Sequence, residues 1–68
     1  MGREVLIVPE MSCDHCRTAI EAAVTDLAGV RLVQVDLQGK RVTVEGEFSH
    51  DDVVAAIVDA GYEVAGRA

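Results

Sequence analysis

Val5-Leu6-Ile7-Val8-Pro9-Glu10-Met11-Ser12-Cys13-Asp14-His15-Cys16 reads as a strand, a loop and the mouth of a helix. Val5-Leu6-Ile7-Val8 is an apolar run of strand length, and Pro9 ends the pairing because it lacks a donor N–H. From Cys16 onward the apolar residues fall at helical spacing, through Ala19, Ile20, Ala23, Val24 and Leu27. Both cysteines of the chain therefore lie on the loop and first turn that open a helix. There the unpaired N–H groups and the positive end of the helix dipole favour thiolate over thiol. Two soft, easily ionised sulfurs side by side make either a metal clip or a redox pair.

Working outward, strand one spans about 3–8 and helix one about 14–28, stopped by Gly29 at a left-handed position. The outer face of that helix carries Arg17, Glu21, Thr25 and Asp26. Strand two, about 30–37, alternates Val33, Val35 and Leu37 with Gln34 and Asp36, the period of a half-buried strand. Gln38-Gly39-Lys40 is a hairpin turn, and strand three follows with Val42 and Val44 facing in. Gly46 breaks it. Ser49 is placed to N-cap helix two, with Asp52 as a weak capping-box partner and Phe48 and Val53 as a hydrophobic staple. Val53, Ala56, Ile57 and Ala60 face inward, and Gly61 ends the helix. Residues 62–64 read as a short last strand and 65–68 as a loose tail. The order β-α-β-β-α-β with short connections predicts an α+β, ferredoxin-like arrangement: a four-stranded antiparallel sheet with two helices on one face.

The length of 68 residues allows one small domain over 1–68, with its core at about 4–64. Such a chain buries only about 60% of its unfolded surface, which leaves little room for a deep organic-substrate pocket and argues against an enzyme. Only Phe48 and Tyr62 are aromatic, so the core is aliphatic. Twelve acids against six bases give a formal charge of −6, which repels phosphate backbones and anionic lipid heads. Nucleic acid and membrane are thereby disfavoured as partners. No apolar run is long enough to span a bilayer, and the segment after Met1-Gly2-Arg3-Glu4 is too short for a signal peptide. The expected compartment is the cytoplasm, where a Cys-x-x-Cys pair is more often metal-binding or catalytic than a structural staple.

With these elements in place the chain resembles the heavy-metal-associated domains, and among them the small bacterial copper chaperones. The matching residues are the Met-x-Cys-x-x-Cys motif Met11-Ser12-Cys13-Asp14-His15-Cys16 after the first strand, Ala28-Gly29-Val30, and the closing Asp59-Ala60-Gly61-Tyr62-Glu63-Val64. The resemblance covers about 4–64. It implies Cu(I) held between the thiolates of Cys13 and Cys16 and handed to the metal-binding domain of a copper-transporting P-type ATPase. It further implies that Met11 is buried support rather than a ligand, and that Tyr62 lies beside the metal loop and shields it. The chain departs from the family at Pro9-Glu10, where a glycine is usual before the methionine. That change stiffens the loop and adds a negative charge.

Cu(I) selects thiolates and accepts low coordination numbers, so two sulfurs can hold it with one side open to an incoming donor. A structural zinc site needs four ligands, whereas this chain offers two cysteines, His15, Asp14 and the distant His50. A carrier of zinc, cadmium or mercury is the alternative within the binding class. A small dithiol oxidoreductase is the alternative outside it, but the element order is wrong for a thioredoxin fold and no second proline is present to face the cysteines. His15 reads either as a solvated side chain or as a group that tunes thiolate basicity or joins a multi-copper cluster in a copper-dependent homodimer. His50 is expected to be exposed. Glu10, Asp14 and Glu63 are expected to ring the site, interrupted by Arg17. The starting Met1 favours a free-standing protein over an excised transporter domain.

Overall fold

The computed structural model describes residues 2–68. The elements run β1 Gly2–Ile7, α1 Asp14–Thr25, β2 Val30–Asp36, β3 Arg41–Gly46, α2 His50–Asp59 and β4 Gly66–Arg67. They form one four-stranded sheet in the order β2-β3-β1-β4, with every pairing antiparallel. This is the ferredoxin-like sandwich expected from the element order. Alternation along the strands decides which side faces the helices. Val42 and Val44 of β3 are opposite Val35 and Val33 of β2 and turn toward the core, with Leu6 of β1 beside them. From α1 come Cys16, Ile20 and Val24, and from α2 Val53 and Ile57. Val8 and Met11 complete the core from the loop after β1.

α1 ends earlier than its periodicity suggests, whereas α2 closes at Gly61 as expected. α1 stops at Thr25 rather than near residue 28, because the chain must turn at once into β2. Leu27 N–H bonds to Val24 O, and Glu47 N–H bonds to Gly29 O at 2.8 Å. A Cβ on Gly29, whose φ is +90°, would stand 1.8 Å from the Glu47 carbonyl oxygen, so only glycine fits this crossing. α2 ends at Asp59 in a Schellman turn: Tyr62 N–H bonds to Ile57 O and Gly61 N–H to Val58 O, with Gly61 at φ +98°. Ser49 is the N-cap of α2, as expected, but its side chain makes no capping bond. Asp51 and Asp52 in the first turn complement the helix dipole instead.

Three expectations are corrected. The last strand is not 62–64 but Gly66–Arg67, paired with Ile7 and Leu6 of β1. Residues 65–68 are consequently not a loose tail, since Ala65 N–H bonds to Ile7 O at 2.8 Å and Ala68 N–H to Val5 O at 2.9 Å. The chain leaves α2 and packs Tyr62 and Val64 against the core before it reaches the sheet edge, which displaces the ladder toward the terminus. His50 is not simply exposed either. Its Nδ1 bonds the carboxylate of Glu4, which Arg67 also approaches at 3.7 Å.

Candidate metal centre

The two sulfurs sit where β1 hands over to α1. Pro9 occupies the second position of a turn closed by Met11 N–H on Val8 O at 3.1 Å. Met11 then plunges into the core and is fully buried. That anchor leaves Ser12 and Cys13 on the surface. Cys13 is the N-cap of α1, with extended backbone (φ −149°, ψ 169°), and its thiol is exposed. Cys16 falls one turn on and is 9% exposed. The sulfurs are 3.3 Å apart and unbridged.

The surroundings favour ionised sulfur. The Cys16 thiol is lowered from 9.0 to about 7, chiefly by the Ser12 backbone amide and then by the Tyr62 hydroxyl and the Cys13 thiol, against the opposing effect of burial. Tyr62 responds in the opposite sense. Its hydroxyl donates to the Cys16 sulfur, and that bond together with desolvation raises its pKa. The Schellman turn at the end of α2 thus delivers an aromatic donor onto a thiol 46 residues away in sequence.

The structure brings Cys13, Cys16 and Tyr62 together and lays Met11 beneath them, with its side chain turned into the core. His15 is exposed on the first turn of α1, and no cluster of three or more histidine, cysteine and acidic side chains suited to a metal ion forms among the described residues. Glu10 and Glu63 meet at one side of the loop, where Glu10 Oε1 accepts from Glu63 N–H at 3.2 Å. Arg17 is held between Asp14 at 3.6 Å and Glu21 at 3.7 Å, both exposed pairs of little energetic weight. Lys40 is the site residue that the sequence reading did not single out; its ammonium donates to Met11 O at 2.6 Å. A lysine in a hairpin turn carries no local signal of such a contact. A surface depression of about 560 Å³ lies elsewhere, at the start of β1 beside Arg31 and Leu32.

Over residues 5–63 the sequence matches the family described as the heavy-metal-associated domain. The chain belongs to that family. The domain is 43% identical over 67 residues to a Staphylococcus haemolyticus protein named copper chaperone CopZ, covering 94% of this chain and 98% of that one. Among solved structures it resembles a CopZ metallochaperone at TM-score 0.90 and 34% identity, covering 94% of this chain and all of the other. It also resembles a copper-binding domain of the P-type ATPase HMA7 at TM-score 0.89 and 28% identity, covering 98% and 97%. As a member of this family the domain is a metal-handling protein and not an enzyme. No helix among the described residues is long and apolar enough to cross a membrane.

Proposed function

We propose that the domain is a cytoplasmic carrier of Cu(I), bound through Cys13 and Cys16 and passed on by thiolate exchange. The observation that carries this reading is the sulfur pair itself: 3.3 Å apart, unbridged, one member exposed, and, among the described residues, outside any cluster of three or more candidate ligands. A soft monovalent ion is satisfied by two thiolates, whereas zinc would be left short of its tetrahedral set. An acceptor thiolate approaching from the Cys13 side adds to the ion, and a carrier sulfur leaves once the new bond has formed. No free ion is released. The acceptor that fits is another domain of this fold with its own sulfur pair, such as the metal-binding domain of a copper-transporting P-type ATPase. A P-type ATPase copper-binding domain of the same fold supports that pairing.

The dithiol-oxidoreductase alternative fares worse, because the acidified thiol, Cys16, is the buried one and therefore a poorly placed attacking nucleophile. The test is Cu(I) titration of the reduced protein against a competing chelator, with Zn(II) in parallel. One Cu(I) per chain is expected, with loss of binding and an unchanged circular dichroism spectrum in the Cys13→Ser, Cys16→Ser double variant. Retention of Cu(I) by that variant, or tighter binding of Zn(II), would sink the assignment. Size-exclusion chromatography of the loaded protein reports whether copper links two chains into a homodimer.

A further inference from the structure

Lys40 occupies a backbone position that suits it poorly. Its φ of 58° makes it the one non-glycine residue in the left-handed region among those described, a conformation that costs a residue with a Cβ about 1–2 kcal/mol. What the placement achieves is a double grip on the loop that carries the cysteines. The Lys40 carbonyl accepts from Val8 N–H at 2.9 Å, and its ammonium donates to Met11 O at 2.6 Å. Both ends of the Val8–Met11 turn are therefore held by a single residue from the β2–β3 hairpin.

The second contact matters for the sulfurs. The Met11–Ser12 peptide is planar and trans, so its C=O and N–H point in opposite directions. With the oxygen on Lys40, the Ser12 N–H is turned the other way, where it meets the Cys16 sulfur. We propose that Lys40 is a positioning residue for the sulfur pair, holding the Met11 carbonyl so that the Ser12 amide stays on Cys16. Without the ammonium this peptide plane can rotate and bring a carbonyl lone pair toward the sulfur. The positive charge on the carbonyl also polarises the peptide and strengthens its N–H as a donor.

The experiment compares wild type with Lys40→Met, Lys40→Gly and Lys40→Arg, all reduced. Its first readout is the Ser12 amide proton shift in the metal-free protein, its second the Cu(I) affinity by chelator competition, and its third the urea midpoint. Lys40→Met and Lys40→Gly should move the Ser12 resonance upfield and weaken Cu(I) binding about tenfold, as expected for one charge-assisted hydrogen bond. Lys40→Arg should restore both. Glycine is at ease at this φ, so Lys40→Gly is expected to stay folded and to separate loss of positioning from loss of stability. An unchanged Ser12 resonance in Lys40→Gly, or an unchanged affinity, overturns the proposal. The affinity measurement rests on the copper-carrier reading and the amide measurement does not. Failure of wild type to bind Cu(I) would therefore remove the former reading alone, and the Ser12 shift would still decide the role of Lys40.

Discussion

At Cys16 a thiol lowered from 9.0 to about 7 ties the chemistry of the site to the stability of the fold. The folded state favours the thiolate, so between these two values the unfolded chain binds more protons and stability rises with pH. This contribution is complete above about pH 9 and is lost as pH falls through about 7. Urea midpoints of the reduced, metal-free protein should rise across that window, and the rise should vanish in Cys16→Ser. Tyr62→Phe removes a hydroxyl donor from the same sulfur, so the thiolate absorbance of Cys16 should titrate at higher pH than in wild type. An unmoved midpoint would show that Tyr62 only packs beside the loop. Met11 is argued on different grounds. Its side chain is fully buried, so Met11→Ala should cost about 2–5 kcal/mol by denaturant unfolding, while a merely weakened ligand set would leave stability intact.

The elements place these residues through their ends rather than their middles. α1 begins at the cysteines because the extended Cys13 backbone caps it, and α2 ends in the turn that swings Tyr62 toward Cys16. β4 is only two residues long, yet with the flanking Ala65 and Ala68 bonds it zips the terminus to β1. Deletion of residues 66–68 removes the Ala68 bond and the Gly66 and Arg67 pairing. About 1–3 kcal/mol should be lost in a urea titration. A loose tail would give no change. At the crossing of Gly29 over Glu47, alanine would add both a left-handed strain and a backbone collision. Gly29→Ala should accordingly lower stability by at least about 2 kcal/mol, read as a shifted unfolding midpoint.

For the whole molecule the relevant quantity is the distribution of charge. The two helices carry Asp14, Glu21, Asp51, Asp52 and Asp59, and their single arginine, Arg17, is already engaged by two of these acids. The loop and helix mouth that bear the cysteines carry Glu10, Asp14 and Glu63 against Lys40 and the already engaged Arg17, so an acceptor with lysines or arginines near its own sulfurs would be drawn to them. Handover to such an acceptor should slow several-fold as ionic strength rises from about 0.01 M to 0.15 M. A salt-independent rate would remove electrostatic docking from the scheme. The sequence by itself determined the element order, the core faces of both helices, and the placing of Cys13 and Cys16 at a helix mouth. These follow from periodicity and from short-range turn chemistry, which neighbouring residues settle among themselves. Tertiary structure alone decided the rest: the bond of the Tyr62 hydroxyl to the Cys16 sulfur, beyond the place beside the loop that the resemblance implied, Lys40 on Met11 across 29 residues, His50 on Glu4 across 46, and the pairing of Gly66 and Arg67 with β1. Each of those contacts joins segments remote in the chain, so it arises only when packing brings their surfaces together.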